Sequence, residues 1–592
     1  MKTDGDRELR RAGWRLMYRE TRLQWHWVLS GVLTGIGWTG FRIAVPLLAA
    51  AAIDNGILKG NPSVAVRYAL LILVAGALQV ACGAWRRFGA FRVAYKVETD
   101  LRDRLFAHLQ QLNFAFHDRA QTGQLMARAN TDLSQVQGVV ILVPLTIASM
   151  LTLLAVIVIM VSTNVILAVL ALGTLPLLNV AATRFSKRIQ PLGLELQQKL
   201  ADLSGVVEES VSGVRVVKGF GAERVQVRRV QEESDAVFDQ SVAMVKARAA
   251  FLPLIDLFPT LALVAILWYG GHLVLDKQLQ IGTLVAFNSF ILMLIWPLRM
   301  LGMVLAMASR ASAAAGRIDE ILRTDPDIHD HPNADPLPSG PGAMHFENVV
   351  FGYRAARPVL EGFSLEIDGG EAVALVGATG SGKSTVARLV PRFYDVDRGR
   401  ITVDGADIRD VRLHELRRAV GMVFEDTFLF SDTVRNNIAF ADPEATAADV
   451  ERAARLAGAH EFISRLPDGY DTMIGEHGYS LSGGQRQRIA IARSVVADPR
   501  VLILDDATSA VDPTKEHEIR SALNEVMRGR TTIIIAHRPA TIALADRVVL
   551  VDDGVVAAQG THAQLLATSE RYREVLARAA ESDALGGAEV AS

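Results

Sequence analysis

The sequence predicts an all-α membrane domain of six spanning helices followed by an α/β domain built around a phosphate-binding loop. Three observations predict it. Half of the 592 residues are apolar while net charge is only −2, so apolar and charged residues are segregated along the chain. Long apolar runs fill the first half, and the second half alternates like a water-exposed α/β domain. Within the second half the loop Gly377-Ala378-Thr379-Gly380-Ser381-Gly382-Lys383-Ser384-Thr385 carries the GxxxxGK[ST] spacing, preceded by a strand pattern and followed by a helix pattern.

The membrane half is read from windows near 27–53, 66–85, 138–161, 163–183, 250–275 and 281–308. Each is long enough to span, since about 20 helical residues cross a hydrocarbon core of about 30 Å. Arg7, Arg10, Arg11, Arg15, Arg19 and Arg22 precede the first window. Arg86, Arg87, Arg92, Lys96, Arg102 and Arg104 follow the second, and Arg184, Lys187 and Arg188 follow the fourth. The opposite connections carry only Lys59 and Lys277, which places both termini in the cytoplasm. Residues 1–25 hold no apolar core, so no secretory signal is expected there.

The two inner connections, 86–137 and 184–249, are long and poor in helix breakers. The spans are therefore expected to run on as helices into the cytoplasm. They would turn near Phe114–Asp118 and Gly213–Phe220, two candidate contacts with a nucleotide domain. Arg42, Asp256 and Arg299 are the charges inside the spans, and Pro253, Pro259 and Pro297 are candidate kinks. Three scattered charges form no ion filter or proton relay. The single cysteine, Cys82, excludes an intramolecular disulfide or a cysteine metal cluster, and its apolar surroundings give it a packing role.

The expected domains are residues 1–318 for the membrane part, 319–342 for a Pro-, Asp- and Gly-rich linker, 343–576 for the nucleotide part and 577–592 for a tail. In the nucleotide part, backbone N–H groups of the glycine loop close around phosphate oxygens and Lys383 adds a point charge. Ser384 is placed to put its hydroxyl on Mg²⁺. Val501–Asp506 is an apolar strand ending in two carboxylates; Asp505 suits Mg²⁺ and Asp506 an attacking water. Leu481-Ser482-Gly483-Gly484-Gln485 opens a helix with small residues, which suits an anion. Tyr353 could stack on a base or serve only as a strand former.

These motifs together resemble a half-transporter of the ATP-binding-cassette superfamily, of the six-span exporter type with an α/β P-loop NTPase domain. Tyr353 matches the adenine-stacking aromatic, Gly377–Thr385 the Walker A loop, and Leu481–Gln485 the signature motif. Asp505 matches the Walker B acid, Ser509-Ala510-Val511-Asp512 the D-loop and His537 the switch histidine. The resemblance implies ATP and Mg²⁺ as cofactors and two chains closing head to tail over two ATP molecules. It also implies a bacterial cell membrane as the location.

Two departures stand out. The general base is normally Glu, and here it is Asp506; position 425, normally Gln, is Glu425. A carboxylate set back by a methylene, about an ångström, can cost roughly 100-fold in rate. Glu425 still faces Mg²⁺ but loses the amide donor. An intact signature beside a weakened Walker site implies a heterodimer whose partner supplies the Glu. The expected activity is ATP-driven export of an amphiphilic drug, lipid or peptide. The alternatives are a homodimer with Asp506 as a slow base, or an ATP-gated regulatory membrane protein. A DNA-acting ATPase is disfavoured by the apolar windows and a pI near 6.7, so no nucleic-acid partner is expected.

Overall fold

A computed structural model of the chain describes residues 4–354, 357–475, 478, 481–506, 516–536 and 538–578, with only the backbone of 175, 178–179, 182, 252, 254–256, 298–299, 301 and 516–519. It divides into two compact units, Met1–Gln110 with Thr122–Thr324, and Gln111–Gln121 with Asp325–Ser592.

The first unit is helical throughout. α1 (Asp4–Leu23) buries Gly13, Leu16, Met17 and Glu20. α2 (Trp25–Ala52) ends in a π turn, Ile53–Ile57, and α3 (Pro62–Gln111) runs for 50 residues. The chain then passes through a short helix, α4 (Phe114–Arg119), that clusters with the second unit. It returns through α5 (Thr122–Ala127) and a second π turn, Arg128–Asp132, to α6 (Leu133–Thr163). α7 (Val165–Leu172), α8 (Thr174–Ser212), α9 (Val214–Gly219), α10 (Glu223–Leu275) and α11 (Ile281–Leu322) complete the unit.

At 1.5 Å per residue α3 is about 75 Å long, more than twice a hydrocarbon core, so the expected helical extensions are present. The short helices α4 and α9 fall at the two expected turns. In α9 and just beyond it Val216 and Phe220 point outward, Phe220 with 84% exposure. Among the described residues five stretches are long and apolar enough to cross a membrane: Trp25–Ile57, Pro62–Gln111, Thr122–Thr163, Leu257–Leu275 and Ile281–Leu322. The stretch expected as the fourth span is helical on both sides of a break at Gly173, between α7 and α8. Exposed Leu73, Val80, Leu154 and Trp268 form the apolar exterior that a bilayer covers.

Three contacts fix the helix packing. A Cβ at Gly13 would fall 1.9 Å from the Ser312 carbonyl oxygen, and one at Gly316 2.3 Å from that of Leu9, so α1 and α11 cross backbone to backbone. Glu20, only 2% exposed, accepts from Arg19 Nε at 2.9 Å and pairs with Arg104 of α3. Asp132 takes a bidentate fork from Arg317 of α11, with Nε to Oδ2 at 2.9 Å.

One placement goes beyond the sequence reading. Arg86, counted there among the charges following the second span, is buried against α2: the Cβ position of Gly35 lies 3.4 Å from its Cδ, and Trp38 stacks on its guanidinium. α3 runs through this position as an unbroken helix, so the charge that closes the apolar window is packed against a neighbouring helix.

Among the described residues the second unit holds two sheets. β1 (Met344–Phe351), β2 (Leu360–Ile367), β4 (Arg398–Val403) and β5 (Ala406–Asp407) form an antiparallel sheet in the order β2-β1-β4-β5. β3 (Ala372–Val376), β6 (Val420–Val423), β7 (Val501–Asp505), β8 (Thr531–Ile535), β9 (Arg547–Asp552) and β10 (Val555–Gly560) form the larger one, in the order β10-β9-β3-β8-β7-β6. It is parallel except for the edge strand β10. Every residue of β3, β7 and β8 is buried, as expected for strands covered on both faces. Side chains alternate between two cores: Ala372, Ala374 and Val376 enter one, Val373 and Leu375 the other. Besides α4, the described helices of this unit include α12 (Lys383–Leu389), α13 (Leu413–Ala419), α14 (Val434–Ala439), α15 (Ala447–Leu456), α16 (His460–Ile463), α17 (Gly483–Val496), α18 (Glu516–Met527), α19 (Pro539–Ile542) and α20 (His562–Thr568).

Candidate functional site

Parallel strands place their C-terminal ends, and the loops that follow, along one edge of the larger sheet. Leu375 pairs with Ile535 and Ile535 with Asp505, so β3, β8 and β7 end at one level. Ligands of open α/β sheets bind outside such ends. Here that edge carries the glycine loop after β3 and the two carboxylates at the end of β7.

The loop's glycines are required by its path. A Cβ at Gly377 would lie 2.1 Å from the Val551 carbonyl oxygen. Gly382, at φ +104°, caps α12 in the left-handed region, and a Cβ there would meet Leu360 Cδ2 at 2.7 Å. Inside the loop, Lys383 Nζ donates to the carbonyl oxygens of Gly377 and Ala378, each at 2.8 Å. Burial lowers the Lys383 pKa, opposed by the negative charges of Asp505 and Asp506. Ser381 Oγ is buried without a hydrogen-bond partner, an orphan polar group that a phosphate oxygen would satisfy.

Ser384 Oγ donates to Asp505 Oδ1 at 3.3 Å. Burial raises the Asp505 pKa, the Ser384 hydrogen bond opposes it, and the charge of Glu425 raises it further. Asp505 and Glu425 thus lie close enough to repel, an arrangement that a cation relieves. Among the described residues no three His, Cys, Asp or Glu side chains form a metal cage. Mg²⁺ keeps several waters and takes one or two carboxylates plus substrate phosphates, a need that a carboxylate pair beside a hydroxyl meets. Ser384, Asp505 and Glu425 therefore fit Mg²⁺ bound with ATP. Asp506 follows at φ +47°, its N–H donating to the Ile535 carbonyl at 3.1 Å, so backbone bonding to β8 fixes where its short side chain starts.

Tyr353 borders a cavity of about 530 Å³ that also touches Gly380, Arg357 and Asp553. Its ring packs edge-on against Phe351 and Tyr394, and its hydroxyl lies 3.3 Å from Thr385 Oγ1. The aromatic and the phosphate loop are thereby joined. Sequence reasoning missed Arg388, whose pKa is raised: burial lowers it, and the Tyr353 hydroxyl and nearby acids outweigh that. Its position one turn beyond Ser384 on α12 was the available signal.

Leu481–Gln485 forms the start of α17. Ser482 Oγ accepts from Gln485 N–H and Gln485 Oε1 accepts from Ser482 N–H at 2.9 Å, a capping box. Gly483 and Gly484 supply first-turn N–H groups, and nothing lies within 4 Å of a Cβ placed on Gly484. Leu481 is buried in one core cluster while α12 packs in the other. The motif is formed, with its helix start capped. Ser509, Asp512 and His537 lie outside the described residues.

The second unit also contains the first expected turn. Phe114 of α4 stacks on Phe393 with ring centroids 4.2 Å apart, and Tyr394 donates its hydroxyl hydrogen to Asp118. Both partners follow closely on α12.

Comparison with known proteins identifies the family. Residues 28–298 match the family model of the ABC transporter transmembrane region, and residues 360–509 that of the ABC transporter. The chain is 36% identical to the ABC transporter ATP-binding protein YknU of Bacillus subtilis (strain 168), over 95% of this chain and 96% of the relative. It is 35% identical to an ATP-dependent lipid A-core flippase of Syntrophus aciditrophicus (strain SB), over 92% and 89%. A bacterial Atm1-family ABC exporter solved with ATP bound superposes with a TM-score of 0.76 at 32% identity, covering 93% of this chain and 98% of that one. The chain belongs to the ATP-binding-cassette transporters and is a half-transporter of the exporter type.

Proposed function

We propose that this chain is the weakly hydrolysing subunit of a heterodimeric exporter that moves an amphiphilic drug, lipid or peptide out across the bacterial cell membrane, with both termini in the cytoplasm. The observation that carries this reading is Asp506 at the end of β7, where a carboxylate one methylene short of Glu starts from a backbone position tied to β8. At that distance it orients an attacking water poorly.

Magnesium, bound with ATP, supplies charge neutralisation at the phosphates. Lys383, the loop N–H groups and Ser381 hold those phosphates, and Ser384, Asp505 and Glu425 position the cation. Tyr353 packs on the adenine, and the resemblance assigns His537, Ser509 and Asp512 to the same site. Ser482, Gly483 and Gly484 are lent to the partner's ATP, and the partner contributes the Glu that this chain lacks. Closure is carried by α4 and α9 to the spans; the exposed Phe220 suits a hydrophobic seat on the partner's nucleotide domain. The lipid substrate of the flippase relative and the apolar spans support an amphiphile.

An asymmetric pair of variants in the assembled transporter tests this. Ser482→Arg in this chain should abolish most ATP turnover, because it closes the partner's working site. Lys383→Ala in this chain should leave most of it. Equal losses from both would contradict the assignment of a weak and a strong site.

A further inference from the structure

The first unit contains a cavity of about 590 Å³ bordered by α2, α3, α6 and α11. Arg42, Arg86 and Arg87 line it on one side, Leu145, Met300 and Val304 on the other. Trp38 lies about 20 Å along α2 from Trp25, at 1.5 Å per residue, so these cations sit well inside the apolar stretch.

Arg86 is 5% exposed, and neither its Nε nor its Nη1 has a hydrogen-bond partner. Its guanidinium lies 4.2 Å from the Trp38 ring centroid, and that of Arg42 lies 4.7 Å from the same ring. Two cations share one indole, and among the described residues no carboxylate lines the cavity. The cation–π contacts offset only part of the cost of burying such charges. Close helix contact fixes the arrangement: the Cβ position of Gly35 is 3.4 Å from Arg86 Cδ, and that of Gly83 is 3.1 Å from Trp38 Cδ1. Arg86 is thus held in place with two donors unsatisfied. Guanidinium forks match phosphate and carboxylate oxygens, and the opposite wall suits an alkyl chain.

We infer that this cavity is a headgroup site for anionic amphiphiles, in which Arg86 and Arg42 grip an acidic head while the tail lies along the apolar wall. Cationic amphiphiles are excluded by the same charges. The inference deepens the export reading and rests on it for the role of the cavity as part of the substrate path.

The test is binding, read apart from turnover. The full chain in zwitterionic nanodiscs is titrated with dodecyl phosphate, dodecyltrimethylammonium and inorganic phosphate, with empty nanodiscs as the blank. Dodecyl phosphate should bind about 10- to 100-fold tighter than either comparison compound, the range expected for hydrogen bonds to a charged partner. Arg86→Gln and Arg42→Gln should each remove most of that preference, and Arg86→Lys should keep part of it. Unchanged binding of an ATP analogue shows that a variant is folded; should Arg86→Gln fail this check, the half-buried Arg42 carries the test. Equal binding of the two amphiphiles, or unaltered binding by both Gln variants, would overturn the site. Inorganic phosphate binding as tightly as dodecyl phosphate would overturn the amphiphile assignment. Intact dodecyl phosphate binding together with no export by the assembled transporter would sink the export reading and leave the site standing.

Discussion

Tyr394 donates its hydroxyl hydrogen to the carboxylate of Asp118, joining the segment after the phosphate-loop helix α12 to the short helix α4 between α3 and α5. The Tyr394 pKa is pushed up, first by burial and then by this hydrogen bond and the Asp118 charge. The hydroxyl therefore stays protonated as a donor. Beside it Phe114 stacks on Phe393, so an aromatic contact and a polar one fix α4 at the same place.

Removing the polar contact should weaken communication and spare ATP binding. Tyr394→Phe and Asp118→Asn are each expected to reduce substrate-stimulated ATPase by about 3- to 10-fold, the effect of roughly 1 kcal/mol from one hydrogen bond. Affinity for an ATP analogue should stay within about twofold. Parallel losses in nucleotide affinity would show instead that the pair supports the ATP site itself.

The junction of β3 and β9 should give the nucleotide unit part of its acid sensitivity. Arg547, at the start of β9, forks onto Glu371, with Nε–Oε1 at 2.7 Å and Nη2–Oε2 at 2.9 Å. Burial alone would raise the Glu371 pKa, but the Arg547 bonds and the Asp368 N–H outweigh it and leave it below the usual 4.5. A carboxylate depressed in the folded state adds stability that is present above its unfolded pKa and lost as pH falls through the folded one. The stability advantage of wild type over Glu371→Gln should thus be full above pH 4.5 and shrink below it. Thermal unfolding of the two proteins across that range checks this; a constant difference would contradict it.

The crossing of α1 and α11 should tolerate no side chain. Gly316→Leu drives a branched side chain into the Leu9 carbonyl. It is expected to cost about 1–3 kcal/mol in the manner of overpacked cores. Limited proteolysis should then cut within α1, releasing the contact that buries Glu20. Full protection of α1 in the variant would mean that this crossing can open at little cost.

Much of the candidate site was legible because its chemistry is local. The glycine loop, the strand ending in Asp505 and the capped start of α17 each lie within a dozen residues, where spacing and burial pattern reveal them. The long inner helices were legible from missing breakers. What was hidden depends on contacts between distant segments. Tyr394 and Asp118 are 276 residues apart. The Glu20–Arg104 pair and the seat of Arg86 beneath Trp38 depend on how helices cross, which the hydropathy windows do not encode. The position of Arg388 was readable on α12, but its tie to Tyr353 was not.

The most direct test of the central claim is ATP turnover by this chain purified alone in nanodiscs, wild type beside Asp506→Glu. A wild type that is nearly inactive, with activity raised by about 100-fold in Asp506→Glu, is the result predicted for a carboxylate set back from its water. Brisk turnover by the wild type, unchanged or lowered by Glu, would contradict the account and establish Asp506 as a working base in a homodimer.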